Sequence, residues 1–135
     1  MSSSTLEALL PAGKKISSKE SGSPGYTICK LVVDGQVALS GIIEEWESGK
    51  TIRNVAYGGY GPSFRNIKKE DSKYIISDSA AVGHAPCSKQ QKDDQEVFTI
   101  IRKEHGSVGT AALEKAITEF TDAVSKSKQC TGSDG

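Results

Sequence analysis

The side chains with the widest chemical repertoire in this sequence are few and scattered: two histidines, His84 and His105, and three cysteines, Cys29, Cys87 and Cys130. In His84-Ala85-Pro86-Cys87 an imidazole and a thiol stand close together along the chain. A nucleophile and its base must reach hydrogen-bond contact, with a third group orienting the base. Four consecutive loop residues do not preorganise such a dyad, and no signature of a cysteine-nucleophile family surrounds them. Asp78 would add a third metal ligand to His84 and Cys87, but no fourth is apparent. The cysteine spacings are wide and unrelated, which suits neither a zinc site nor a disulfide framework. They read as free thiols in a reducing cytosol, so a cytoplasmic protein is expected. Glu44, Glu45 and Glu47 are neighbours, yet nothing in the sequence raises one pKa against another, and they read as a solvated face. The expectation is therefore a protein with no catalytic residue, no metal and no cofactor.

One segment has the composition of a binding surface. Tyr57, Tyr60 and Phe64 lie beside Arg53, Arg65, Lys68 and Lys69, around Gly58-Gly59-Tyr60-Gly61. No Lys-Ser or Lys-Thr follows these glycines, so they do not form a phosphate-binding loop of the P-loop kind, and a wide turn is the simpler reading. Tyr and Arg are the residue types that anchor protein interfaces, and the same set could stack bases. Buried, the aromatics would instead be core and the lysines solvated.

Composition narrows the class. At 135 residues the chain has the size of one domain, 1–135, long enough to bury a core. Seventeen basic residues balance seventeen acidic ones, a net charge of zero, which makes nucleic acid an unpromising main partner because that binding is dominated by phosphate neutralisation. No apolar stretch follows a basic start at the N-terminus, so no signal peptide is expected, and no apolar run is long enough to span a membrane.

The elements that must position these residues follow from periodicity and turn chemistry. Thr5–Leu10 reads as one or two helical turns stopped by Pro11. Lys14–Gly25, rich in Ser, Lys and Gly, reads as a mobile connector. Tyr26–Val33 and Gln36–Ser40 read as strands of a hairpin closed by Asp34-Gly35, a two-residue turn that suits right-handed strand twist. Ile42–Glu47 reads as a short helix with Ile42, Ile43 and Trp46 on one side, against a competing continued strand that its acidic content disfavours. Thr51–Tyr57, Ser63–Ile67 and Lys73–Ser77 read as strands, Ser79–Gln95 as a long polar loop, and Glu96–Lys103 as a central last strand. Leu113, Ala116, Ile117, Phe120, Ala123 and Val124 make one stripe at helical period. Gly109 and Thr110 open that helix, Glu114 sits near its positive end and Lys126 and Lys128 at its negative end. Asp122 and Lys126 add a well-oriented pair one turn apart. Residues 129–135 read as a frayed tail. Runs of antiparallel strands with helices at the ends predict an α+β fold: an antiparallel sheet flanked by a short N-terminal helix and an amphipathic C-terminal helix.

This order, with the apolar strand, Asp-Gly turn and returning strand of Leu31–Ser40, resembles the profilin family of actin-monomer-binding proteins. Val97–Ile101, Gly106, Gly109 and the Leu113–Val124 helix look like that family's last strand, turn and closing helix, and Gly58-Gly59 like its mid-chain glycine pair. Roadblock-type light chains have a similar layout. The resemblance implies a monomeric, non-catalytic cytoplasmic protein that captures monomeric actin stoichiometrically. Its actin face would comprise Phe64 and Arg65, Arg102 and Lys103 at the strand end, His105 in the turn, and Thr110, Ala111 and Lys115 on the helix. The chain departs from the family in its short middle helix and its long Lys14–Gly25 connector. Its N-terminal segment has neither Trp nor Tyr, so the resemblance does not carry polyproline binding with it.

Two other classes fit parts of the sequence. Gly61-Pro62-Ser63-Phe64-Arg65-Asn66 before a Lys-rich stretch resembles the coat proteins of single-stranded RNA phages, which would imply a self-assembling shell. A small sheet that binds nucleic acid through Tyr57–Lys69 is the other.

Overall fold

The computed structural model describes residues 16–23, 25–47, 49–85, 95–104 and 109–126. Among them one seven-stranded antiparallel sheet and one α-helix make an α+β fold. The strands are β1 (Ile16–Ser23), β2 (Tyr26–Val33), β3 (Gln36–Glu47), β4 (Ile67–Glu70), β5 (Tyr74–Ser77), β6 (Ala80–Ala85) and β7 (Gln95–Lys103); the helix is α1 (Thr110–Ser125). Their order across the sheet is β1-β2-β3-β7-β6-β5-β4. Two antiparallel meanders, β1–β3 and β4–β7, are thus joined through the pairing of β3 with β7.

The Asp34-Gly35 hairpin forms as the sequence predicts. Both residues have positive φ, 50° and 85°, as a two-residue turn matched to strand twist requires. β7 is central, and α1 lays Leu113, Ala116, Ile117 and Val124 into the core. Thr121 is buried on that stripe as well, whereas Ala123 is exposed. The pair of Lys126 with Asp122 closes at 3.1 Å.

Five expectations are corrected. Residues 16–23 of the expected connector are a strand; the side chains of residues 17–23 are all exposed, so the strand has no apolar alternation to reveal it. Ile42–Glu47 continues β3 rather than turning helical, because in extended backbone Ile42 and Ile43 serve opposite faces of the sheet and Ile42 is fully buried. Thr51–Tyr57 is not a strand: a wide, π-type helical turn covers Asn54–Gly59. Gly61–Phe64 is a 3₁₀ turn, and β4 starts at Ile67. Within Ser79–Gln95, residues 80–85 are a strand and Gln95 opens β7. β6 is buried almost throughout because its Ala, Val and Gly side chains are small enough for close cover on both faces. The expected Thr5–Leu10 helix and the 129–135 tail lie outside the described residues, as do Cys87, His105 and Lys128.

Period-two alternation sends side chains to two cores. On one face Ile28, Ile42, Ile75, Ala80, Val82, Phe98 and Ile100 lie under Ile52, Val55, Ala56 and Phe64, the segment of helical turns. On the other, Leu39, Ile76, Ala81 and Ile101 lie under α1. Gly83 sets the approach of α1: a Cβ there would stand 2.8 Å from Thr121 Oγ1 and from the Tyr74 ring. Thr99 and Thr121 hydroxyls meet at 2.7 Å across this contact, so the buried polar atoms satisfy each other. Opposite, Ser77 Oγ donates to Ser63 O at 2.6 Å and accepts from Ala80 N at 3.0 Å, tying the turns to the β5–β6 corner.

Candidate protein-binding surface

β3 and β7 aim Ser40, Glu44, Trp46 and Arg102 at the turn-covered face, in step with core residues Ile42, Phe98 and Ile100. Tyr60, between the two helical turns, is brought over the same area. The Trp46 indole Nε1 donates to Glu44 Oε1 at 2.7 Å, and the Tyr60 hydroxyl donates to the other oxygen of the same carboxylate. Burial pushes the Tyr60 phenol well above its ordinary pKa, and the bond to Glu44 adds to that shift. Tyr26, directly across the strands from Glu44, is 36% exposed.

Arg102 closes the other side. Its guanidinium lies 5.8 Å from the centre of the Tyr60 ring, a cation–π contact, and its Nε donates to Glu104 Oε2 at 3.1 Å. Ser40 Oγ donates to that same oxygen at 2.6 Å. Burial alone would raise the Glu104 pKa; the bonds from Ser40 and Arg102, with the charge of Lys30, outweigh it and hold the carboxyl below its ordinary value. Two carboxylates thus hold a tyrosine, a tryptophan and an arginine in fixed, half-exposed positions.

The aromatic and cationic set around Tyr57–Lys69 does not form one patch. Phe64 is 3% exposed and belongs to the core. Tyr57, 39% exposed, donates to Glu70 at 3.1 Å under the Arg53 guanidinium, 5.5 Å from its ring centre, and Arg53 pairs with Glu70 at 2.7 Å. Arg65 and Lys68 are exposed. Lys69 turns to the helix face and pairs with Glu114 of α1.

The residues expected for an actin face are divided likewise. Phe64 is buried beneath the surface it was expected to form. Arg102 and Lys103 are consecutive strand residues and point to opposite faces. Thr110, Ala111 and Lys115 lie in the first turns of α1 on the helix side, Ala111 and Lys115 exposed. The carboxylates are corrected too: Glu44 is a part-buried acceptor of two bonds rather than a solvated group. Glu44, Trp46 and Tyr26 are the surface residues that sequence reasoning missed. The one signal for them was the i, i+2 spacing of Glu44 and Trp46, which shares a face only in a strand.

His84 packs its ring against Phe98, with centroids 5.1 Å apart, and its Nε2 stands 3.6 Å from Glu96 Oε1. Among the described residues no group of three or more His, Cys, Asp or Glu is placed to hold a metal ion. No helix among them is long and apolar enough to cross a membrane. No protein-family model, no curated protein and no solved structure matches this chain. What fold and surface define together is an α+β domain carrying a fixed aromatic and cationic surface on one face of its sheet.

Proposed function

We propose that the protein is a non-catalytic module that binds another protein stoichiometrically through Tyr26, Trp46, Tyr60 and Arg102. The observation that carries this reading is the Glu44-centred cluster. Tyr, Trp and Arg are the side chains on which interface energy concentrates, and anchors held in place before contact lose less entropy on binding. Monomeric actin is the first partner to try, because the resemblance to profilins names it and Arg102 belongs to both the expected actin face and this surface.

The test is size-exclusion chromatography with light scattering, with and without monomeric actin in non-polymerising buffer. The expected result is a one-to-one complex whose affinity drops about thirtyfold in Tyr60→Ala, the loss of an anchor worth about 2 kcal/mol. A complex sensitive to Lys115→Glu but not to Tyr60→Ala would move the contact to the helix side. No complex removes actin, and a very large particle without actin replaces the reading with a self-assembling shell.

A further inference from the structure

We propose that a row of cations crossing the sheet, Lys19, Lys30 and Arg102, receives an acidic stretch of the partner protein. The inference rests on the protein-binding reading and deepens it by naming the partner's chemistry. The row follows from register: Lys19 pairs with Lys30, Lys30 with Ser40, and Ser40 with Arg102. Paired residues share a face, and neighbouring strands lie about 4.8 Å apart. The three cations therefore stand in one line across β1, β2, β3 and β7, with a serine at the third place. The line lies on the turn-covered face, because the row two residues further along each strand, which shares its face, holds Ile28, Ile42 and Ile100 of that core.

Two features point outward from this row. Lys19 and Lys30 are exposed like charges directly opposite each other, an arrangement that destabilises a sheet. Among the described residues neither forms an ion pair, and the carboxylate at the row, Glu104, is already bound to Ser40 and Arg102. Three cations against one carboxylate leave a surplus of positive charge on a protein whose net charge is zero. An anion laid along the row would relieve the repulsion between the lysines. The row also adjoins Tyr60, so an acidic segment seated there runs onto the anchors of the proposed interface.

A protein carboxylate fits better than a nucleic acid backbone. Three cations offer little phosphate neutralisation, the term that dominates nucleic acid affinity. The Arg102 guanidinium stands over one face of the Tyr60 ring and the hydroxyl is committed to Glu44, which leaves less of the ring for stacking a base.

The test uses the full chain, isotope-labelled for NMR, titrated with a short peptide of alternating Glu and Ser. A peptide of alternating Lys and Ser and an oligothymidylate of equal charge are run beside it. The expected result is a set of amide shifts centred on Lys19, Lys30 and Arg102 with the acidic peptide alone, weakened by added salt. Lys30→Ala lowers the affinity about fivefold, the worth of one exposed ion pair. Lys73→Ala, at the β4–β5 turn, leaves it unchanged. Absence of shifts, or shifts centred on Arg65 and Lys68, overturns the assignment. Tighter binding of the oligothymidylate overturns it in favour of nucleic acid. A protein complex sensitive to Tyr60→Ala beside a silent acidic peptide means that only this inference fails. A responsive peptide with no such complex means that the broader reading fails instead.

Discussion

Glu44 is the residue on which the surface turns, since it accepts from both Trp46 and Tyr60. Glu44→Ala strands two part-buried donors, and an unsatisfied donor costs about 1–3 kcal/mol. We expect the loss to appear as a lower urea midpoint with unchanged slope. Glu44→Gln keeps an acceptor and removes the charge, so the Tyr60 phenol titrates lower than in the parent by ultraviolet titration. It stays above the ordinary tyrosine value, because burial is the larger cause of its shift. Glu104 makes the acid limb of stability testable. Its folded pKa is lowered, so its contribution is fully present above the ordinary value of 4.5 and is lost as pH falls through the lowered one. Ser40→Ala removes one cause of the lowering, and its pH–stability curve should fall less steeply through that window.

At the scale of elements, β1 and β7 are opposites. β1 is an edge strand with no buried side chain among residues 17–23, held by its pairing with β2, while β7 sits between β3 and β6 with Val97 to Ile101 buried. Local opening follows burial. Hydrogen exchange should therefore show β1 amides exchanging by local opening and those of β7 by global unfolding. Lys19→Glu turns the facing pair with Lys30 into one of opposite sign and should raise stability by about 0.2–1 kcal/mol in chemical denaturation. If the row is a binding site, the same change weakens the acidic peptide; stability gained and binding lost together is the outcome a functional repulsion requires. The α1 contact is set by Gly83. Gly83→Ala forces Thr121 or the Tyr74 ring aside, an overpacking cost of about 1–3 kcal/mol readable as a lower thermal midpoint.

At the scale of the molecule, two meanders of unequal character share one seam. The pairing of β3 with β7 carries both cores across it, and it sets Ser40 directly opposite Arg102, with Tyr60 bridging from Arg102 to the Glu44 carboxylate further along β3. Among the described residues both edges of the sheet are polar: β1 has Ser, Lys and Glu, and β4 is four residues long with Lys68, Lys69 and Glu70 exposed. Charged or short edges oppose pairing with another copy. The chain is expected to run as a monomer in light scattering even at high concentration, and a concentration-dependent dimer would overturn that expectation.

The sequence by itself determined the elements whose signals are local. Asp34-Gly35 dictates its hairpin because few other residue pairs accept positive φ twice in succession. Leu113, Ala116, Ile117 and Val124 dictate α1 because their period matches one face of a helix. Val97–Ile101 announces a central strand because a strand covered on both sides needs a near-continuous apolar run, here broken only by Thr99. Tertiary structure alone decided the rest. β1 is polar on both faces, and it is a strand because β2 offers its backbone a partner. Ile42–Glu47 carries a helix-compatible pattern that pairing with β7 overrides, and Ala80–Ala85 is too small-sided to advertise the burial that α1 and the helical turns impose on it. The candidate surface was half legible for the same reason. Tyr60 stood out among its neighbours, but Glu44, Trp46 and Arg102 become its companions only when distant segments are set side by side, and strand register is a property of the pair, not of either sequence.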